Sequence, residues 1–569
     1  MKKSFNLVSE PWIRVLETTT NEETMVSLKE LFANAQNYRQ LAGDTRSQDL
    51  AILRFLLAIL TTVYSRVDGN DQPYDGLELD NNFRVVNAED FCEDFSEEDA
   101  LETWHTLFAK GIFTPAVAHY LDIVADKFDF FGDQPFYQVT RENYNKLVEH
   151  KKAVNETSIK KRTGTVAVKQ INRLISESNN SAAVFATKSK LSKNRLTLDE
   201  LVRWIITYQS FTGVTDKTKT ISKEKFSISP GWLYKLNPVY VVGDNLFETL
   251  LYNLVLFEDY ELWSPIQKPV WEFENIEAYV SEIQKANVPD NIAQLYTIWS
   301  RILHIEWVDD EPIIFSAGLP MPNAINARIE PMTTWKRVDK KTNDIRPATR
   351  NLGQLGQAMW RNFGQYIRTT GSVNSPEIVN WLEGVTNGNH DKLITLATAV
   401  LISDGNATSQ SPAAEFTDDF ALNREVIFDK EMIKRWPERI ENVIEVTQSV
   451  GKNYWILARQ IADIRDLADG AEFANHIQAR FYERLTVPFK EWLASLRVND
   501  DRDLKQREWK RKLQQIVYIS LAEDIESVAT PRDFRGTPMQ DNDRQEPVNI
   551  FTAIASFRMR LAKCFKEDE

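Results

Sequence analysis

The stretch that decides the fold is QDLAILRFLLAILTTV, residues 48–63. Leucines recur at Leu50, Leu53, Leu57 and Leu60, and most positions between them are also apolar. A helix that is apolar on nearly every side has to be enclosed by other elements, because no face of it suits water. The run is shorter than the roughly 20 residues that a membrane span requires. We therefore expect a buried helix inside a globular domain.

The residues before this helix predict short extended and helical elements. Phe5–Val8 has the pattern of a short strand, and Glu10–Val15 continues as a second extended piece past a proline that disfavours helix. Ser27 stands in the N-cap position of a helix whose apolar positions are Leu28, Leu31 and Phe32.

The last third of the chain has a different periodicity. After about Thr370 strand signals fade, and apolar residues repeat one helical turn apart. We expect an α+β protein with a mixed α/β domain at 1–370 and an antiparallel, four-helix bundle at 371–569. The stripes of that bundle are Phe473, Ile477, Phe481 and Leu485; Leu513, Ile516, Val517 and Leu521; and Phe551, Ile554, Phe557, Leu561 and Phe565.

Composition narrows the class of protein. The chain has 569 residues, 43% of them hydrophobic, which is enough for several packed domains. Its two cysteines, Cys92 and Cys564, cannot build a disulfide framework or a four-thiolate zinc site. No signal-peptide pattern follows Met1. A reducing cytoplasm is the expected location.

Positive charge is concentrated between Lys146 and Lys235. Eighteen Lys and Arg stand there against seven Asp and Glu, although the whole chain has a net charge of −14. Such an island is typical of a polyanion contact; the alternative is a solvated loop region. We expect the backbone of the polyanion to be contacted by Lys160, Lys161, Arg162, Lys188, Lys190, Lys193, Arg195, Lys217 and Lys219. Two uncharged runs inside the island, Ser176–Phe185 and Phe211–Val214, are candidates to reach base edges.

The groups that a catalytic site requires do not assemble. Six histidines are scattered without the one-turn spacing of zinc proteases, and no G-x-x-x-x-G-K-[ST] loop is present. His390-Asp391 resembles part of a metal-dependent nuclease and keeps that alternative open. We expect a binding protein that is not an enzyme, with no cofactor and no metal.

Several sequence pieces, taken in order, resemble the CasA family, the large subunits of the type I-E CRISPR surveillance complex Cascade. The resemblance extends from the N-terminus to Trp335 and is carried by Phe5–Ile13, Ser27–Phe32, Leu41–Asp44, Phe128–Phe131, Gln134–Gln138, Asn180–Phe185, Pro230–Trp232, Val270–Glu272 and Glu330–Trp335.

The resemblance implies a function. CasA proteins recognise the PAM, a short motif in double-stranded target DNA, help to open the duplex for guide RNA pairing, and recruit a helicase-nuclease. Their partners are the other Cascade subunits with the guide RNA, including the small helical subunit. Carried onto this chain, the family's PAM-contacting loops are Asn179, Asn180, Ser181, Ala183, Val184 and Phe185, and Thr212, Gly213 and Val214.

Two further points follow from the resemblance. The family's strand-separating wedge aligns with Asn380 and Trp381, where the tryptophan is either a wedge or a core side chain. Some members carry a cysteine cluster that looks zinc-binding, and this chain lacks it. The competing function is a protein scaffold whose basic insert at 146–235 binds acidic partners or nucleic acid without specificity.

Overall fold

The computed structural model describes residues 4–87, 95–171, 195–213, 217–258, 263–338, 341–367, 375–386, 392–405, 412–429, 435–538 and 547–566. They form two compact units. Unit 1 comprises Met1–Leu355, Val373–Asn387 and Leu396–Asp418, and unit 2 comprises Gly356–Ser372, Gly388–Thr395 and Asp419–Glu569. The units therefore do not meet at one linker near residue 370, because two segments beyond that position belong to unit 1.

Unit 1 combines helices with small antiparallel sheets. Its helices are α1 Leu28–Asn34, α2 Arg46–Tyr64, α3 Glu97–Lys110, α4 Pro115–Ile123, α5 Arg141–Leu147, α6 Glu156–Lys160, α7 Val168–Ile171, α8 Leu198–Phe211, α9 Leu246–Tyr252, α10 Ile276–Ile283, α11 Ile292–Thr297 and, after a short α12 of unit 2 at Phe363–Tyr366, α13 Glu377–Val385. Its strands are β1 Ile13–Glu17, β2 Glu23–Val26, β3 Tyr38–Leu41, β4 Tyr240–Val242, β5 Arg301–Val308, β6 Glu311–Gly318, β7 Trp335–Arg337 and β8 Ile345–Pro347.

Helix α2 is the buried helix that its sequence predicts. The Thr45 hydroxyl caps it by accepting the N–H of Gln48, and every residue after Arg46 is buried. By length and composition alone it is apolar enough to cross a membrane, but its whole span is enclosed within the protein. It packs against α8 and α11. The central position of this helix is confirmed.

The N-terminal elements differ from their prediction at one place. Phe5–Val8 is not a strand: Asn6 forms a single bridge to Asp129, and a turn follows. The Asn6 side chain itself accepts the N–H of Val8, which favours the turn. The predicted helix at Ser27 is confirmed, with Ser27 and Glu30 forming a capping box.

A long hairpin stands where strand signals were expected to fade. Strands β9 (Leu393–Ser403) and β10 (Pro412–Asn423) lie beside β4 in the order β10-β9-β4. Residues 396–418 of this hairpin belong to unit 1, and its two bases belong to unit 2. Strand β9 lies between β10 and β4 and its central residues 396–400 are all buried, so it lacks the alternating pattern by which a half-buried strand is predicted.

Described parts of the basic stretch make backbone contacts with strand β6 of unit 1. Val166 bridges Ile314 and Lys219 bridges Gly318, so chain from both ends of the stretch lies on β6. At Gly164 the two backbones approach so closely that a Cβ atom would stand 2.1 Å from the carbonyl oxygen of Ile314. Only glycine fits there.

A buried ion pair joins distant parts of unit 1. Arg54 of α2 donates to both carboxylate oxygens of Glu330, at 2.7 and 2.8 Å, and both side chains are almost completely buried. Glu330 also accepts the Trp232 indole N–H at 2.6 Å and the Met332 backbone N–H at 3.1 Å. The Arg54 guanidinium lies 4.0 Å from the centre of the Tyr296 ring. Four donors thus converge on one buried carboxylate.

Unit 2 is mainly helical. Beyond α12, its helices are α14 Arg424–Ile427, α15 Trp436–Arg465, α16 Gly470–Ser495, α17 Arg502–Leu521, α18 Pro531–Arg535 and α19 Ile550–Cys564; a short ladder joins β11 Thr537–Pro538 to β12 Pro547–Val548. Helix α15 packs against α16, α17 and α19. The bundle is confirmed, but Phe551 is not in its core: the ring is 63% exposed and lies 5.7 Å from that of Phe534.

Removing one member of the buried ion pair should be costly. Glu330→Ala leaves the Arg54 guanidinium and the Trp232 N–H without their acceptor, so we expect unit 1 to lose about 3–5 kcal/mol. The matched control is Glu282→Ala, which breaks an exposed pair with Lys285 and should cost less than about 1 kcal/mol. Urea denaturation followed by tryptophan fluorescence measures both. Equal losses in the two variants would contradict the role of the pair.

Candidate nucleic-acid interface

Part of the expected interface lies outside the described residues. This holds for Asn179, Asn180, Ser181, Ala183, Val184 and Phe185 of the first loop, for Val214 of the second, and for Lys188, Lys190 and Lys193. His390 and Asp391 also lie outside. The structure does describe the chain on both sides of each of these segments, and that chain fixes where they begin and end.

Helix α8 is the rigid element between the two expected loops. Its 14 residues span about 21 Å, with Arg195 shortly before its first turn and Thr212 directly after its last. The buried Arg203 guanidinium donates to the carbonyl oxygen of Trp12 at 2.6 Å, and the Trp204 indole donates to Asp44 at 2.8 Å. These bonds fix α8 to the N-terminal part of unit 1.

The C-terminal end of α8 is held by buried polar groups. The Gln209 amide oxygen accepts the N–H of Arg301 at 3.0 Å, and its nitrogen donates to the Arg301 carbonyl at 2.9 Å. The Arg301 guanidinium in turn donates to the carbonyl oxygens of Gly213, at 2.9 Å, and Ser229, at 3.0 Å. Thr212 and Gly213 are buried and positioned by backbone contacts, so the second expected loop starts from a fixed point.

Three other parts of the chain meet the C-terminal end of α8 at a cleft: residues 45–47, residues 170–171 and the β9–β10 hairpin. We call it the loop-base cleft; its lining residues are Thr45, Ser47, Gln170, Ile171, Trp204, Thr207, Tyr208, Phe211, Thr212, Gly213, Leu401 and Pro412. Ile171 is the last described residue before the first loop, and Gly213 is the last before residue 214. The described chain that precedes each of the two expected recognition loops therefore ends at the same cleft.

The described basic residues are not equivalent. Lys160, Lys161, Arg195 and Lys217 are exposed. Arg162 forms ion pairs with Asp309 and Glu311 at the β5–β6 turn, so its charge is already compensated. The Lys219 ammonium donates to the carbonyl oxygen of Phe226 and lies 5.2 Å from the centre of the Phe226 ring. The exposed lysines are the stronger candidates for phosphate contacts.

The residues expected to act as the wedge lie on α13. Trp381 is only 6% exposed, as a core tryptophan would be. Asn380 is half-buried, and its amide donates to Glu377 at 2.9 Å. In the described structure only Asn380 of this pair reaches the surface.

Sequence reasoning missed two contributors. The β9–β10 hairpin brings Leu401 and Pro412 to the loop-base cleft, although its strands were not anticipated. Lys235 was counted only as part of the basic stretch, yet it is half-buried beside the cleft, where burial and then the neighbouring Arg301 lower its pKa. Its position after Gly231-Trp232, a core motif, was the available signal.

Unit 2 has a basic surface of its own. A groove of about 910 Å³ is bordered by α15, α17 and α19. Its charged lining residues are the cations Arg439, Arg507, Lys510, Arg560, Lys563 and Lys566 and the acids Glu445 and Asp503. We call this the bundle groove. Among the described residues, no group of three or more His, Cys, Asp or Glu side chains could hold a metal ion.

Comparison with protein families identifies one family. The model of the family described as CRISPR-associated protein Cse1 matches residues 6–518. A search of curated proteins finds no match.

Solved structures show the same fold over whole chains. The chain is similar to Thermobifida fusca Cse1, with a TM-score of 0.73 and 21% identity over 99% of this chain and 98% of that one. It is similar to Thermus thermophilus CasA (Cse1), with a TM-score of 0.67 and 16% identity over 99% of both chains. A chain of a structure described as a CRISPR RNA-guided surveillance complex matches with a TM-score of 0.53 and 11% identity, over 99% of this chain and 100% of that one.

Arg301 should control the order of the second loop. In Arg301→Met the carbonyls of Gly213 and Ser229 lose their donor, so we expect faster amide exchange at residues 211–213 and at Ser229 and Gly231, and a stability loss of about 1–3 kcal/mol. Hydrogen exchange with mass spectrometry measures the first effect. Arg328→Met, at an exposed arginine, is the control. Unchanged exchange in Arg301→Met would show that the loop is positioned by other contacts.

Proposed function

Since the chain belongs to the CRISPR-associated Cse1 family, also called CasA, the family of Cascade large subunits, we propose that it recognises the PAM in double-stranded target DNA. In this proposal it helps to open the duplex for guide RNA pairing and recruits a helicase-nuclease, in the cytoplasm, without catalysis of its own. The observation that carries the proposal is the loop-base cleft, which is lined by the last described residues before each expected recognition loop, Ile171 and Gly213.

The geometry supports a division of labour within unit 1. Helix α8 is immobilised through Arg203, Trp204 and Gln209, so the second loop, which follows its C-terminal end, starts from a fixed position. Uncharged residues of the loops would contact base edges in the minor groove, whose degenerate code tolerates several motifs. Exposed lysines would hold the phosphates on either side, which positions the duplex without reading it.

The proposed partners are the other Cascade subunits with the guide RNA, including the small helical subunit. The match to a chain of an RNA-guided surveillance complex supports this assignment.

For unit 2 we propose that the bundle groove holds the backbone of a displaced single strand, because its cations outnumber its acids. Substituting Arg507 and Lys510 with Gln should then weaken retention of that strand in a cross-linking assay, and unchanged cross-linking would remove this part of the proposal.

PAM discrimination should depend on the first loop. Replacing residues 179–185 with Gly and Ser should abolish the preference of the assembled complex for PAM over non-PAM duplexes, because the side chains that contact bases are gone. Binding measurements on both duplexes test this expectation. A complex that still discriminates after the replacement would refute the assignment.

The control separates recognition from charge. Changing Lys188, Lys190 and Lys193 to Gln should reduce the slope of log K against log salt by up to about 0.9 for each lost phosphate contact and leave discrimination intact. An unchanged slope would favour the protein-scaffold alternative. If the purified chain cleaves DNA in Mg²⁺ or Mn²⁺ and His390→Ala abolishes this cleavage, the protein is a nuclease and the binding function is wrong.

Strand separation should depend on Asn380. We assign the strand-parting contact to Asn380 and give buried Trp381 the task of holding α13 in place. Asn380→Ala should leave binding to a PAM duplex unchanged and lower the permanganate reactivity of thymines in the opened segment, whereas Asn343→Ala, at an exposed asparagine, should not. Normal opening in Asn380→Ala would move the wedge to another element, of which the β9–β10 hairpin beside the loop-base cleft is the first candidate.

A further inference from the structure

A second cleft in unit 1 adjoins the loop-base cleft. It has a volume of about 370 Å³ and is lined by Pro230, Tyr234, Lys235, Leu236, Thr349, Arg350, Val400, Leu401, Ser403 and Gly405. Two of these residues are cations and none is acidic. Leu401 lines both clefts, so the two lie side by side on β9.

Lys235 has an unusual environment in this cleft. It ends a short helical turn, Leu233–Lys235, and is half-buried. Within the described part of the chain it forms no ion pair, and every influence on its pKa lowers it: burial first, then the Arg301 guanidinium. A partly desolvated ammonium beside a second cation carries a free-energy cost, which an anion in the cleft would offset.

Other donors border the same space. The Arg350 guanidinium lies 3.8 Å from the centre of the Phe416 ring, which fixes the plane of its N–H groups. The Ser403 hydroxyl oxygen accepts the N–H of Gly405 at 3.2 Å, which leaves its own O–H available to donate. The ammonium, the guanidinium and the hydroxyl belong to residues from three separate segments, all of which line the cleft.

This arrangement suits an anion that accepts from several directions. A phosphate group presents oxygens to donors on different sides at once and prefers charged donors. Arg301 links the cleft to the interface, because the same guanidinium that lowers the pKa of Lys235 also holds the carbonyl oxygen of Gly213. An anion bound here would lie next to the point from which the second recognition loop departs.

We propose that Lys235, Arg350 and Ser403 bind one phosphate of the target duplex backbone and thereby set the position of the DNA relative to the recognition loops. The identity of the anion as a DNA phosphate rests on the proposed function; the presence of an anion site does not. Such a contact contributes affinity equally for all sequences and contributes nothing to the choice of PAM.

The anion site is tested on the full chain alone. Trace acetylation followed by mass spectrometry compares the reactivity of Lys235 in inorganic phosphate with that in chloride at the same ionic strength. We expect phosphate to protect Lys235 and to leave the exposed Lys285 unprotected. Equal reactivity of Lys235 in the two salts would overturn the site.

The link to DNA is tested on the assembled complex. Lys235→Gln should reduce the salt slope of duplex binding by about 0.9, one phosphate contact, and keep PAM discrimination. Lys235→Arg, which retains the charge, should restore the slope, and Lys285→Gln should not change it. An unchanged slope in Lys235→Gln would overturn the DNA assignment. If the wild-type complex does not discriminate PAM at all, the proposed function fails, and the protection experiment still decides whether the anion site exists.

Discussion

The ion pair between Arg54 and Glu330 is the constraint on which unit 1 depends. A carboxylate without water is costly, and this one is compensated only because two guanidinium N–H groups, the Trp232 indole and the Met332 N–H all point at it. These four hydrogen bonds fix the relative positions of α2, the chain around Trp232 and the residues that lead into β7. Both clefts near α8 adjoin the chain around Trp232: Pro230, Tyr234 and Lys235 line the second cleft. The N–H of Gly231 donates to the carbonyl oxygen of Thr212, which lines the loop-base cleft, at 2.9 Å.

Several of the sequence pieces that carry the family resemblance turn out to be such buried junctions. Trp12 is fully buried and donates to the carbonyl oxygen of Leu7. Glu272 pairs with Arg66 and accepts from Tyr120, whose hydroxyl oxygen also receives the Trp271 indole N–H. These residues are required for core packing and for the hydrogen bonding of buried polar groups, so the resemblance indicates the fold. The piece Asn180–Phe185, which the resemblance assigns to PAM contact, lies outside the described residues.

How much of the fold and of the site could be predicted depends on whether the sequence signal is local. Helix α2, the capped helix at Ser27 and the bundle stripes follow from local periodicity, which the sequence displays directly. The β9–β10 hairpin was missed because helical patterns stand before and after it in the sequence. The turn at Asn6 was missed because a hydrogen bond from the Val8 N–H to the Asn6 side chain outweighs the extended propensity of the neighbouring residues. Phe551 fits a helical stripe, yet its ring is exposed, since periodicity assigns a face and not the element that covers it. Lys235 and Arg301 belong to the site through contacts distant in sequence, which no local pattern encodes.

The division of the chain between the two units has a consequence for how the protein is made. The chain passes from one unit to the other five times between Leu355 and Asp419. Because Leu401 and Pro412 line the loop-base cleft together with Thr45 and Ser47, that cleft cannot close on the ribosome until more than four hundred residues have emerged. A nascent or truncated chain that ends before β9 therefore contains most of unit 1 but lacks one wall of its interface. Only a chain synthesised beyond Pro412 therefore has every residue that lines this cleft.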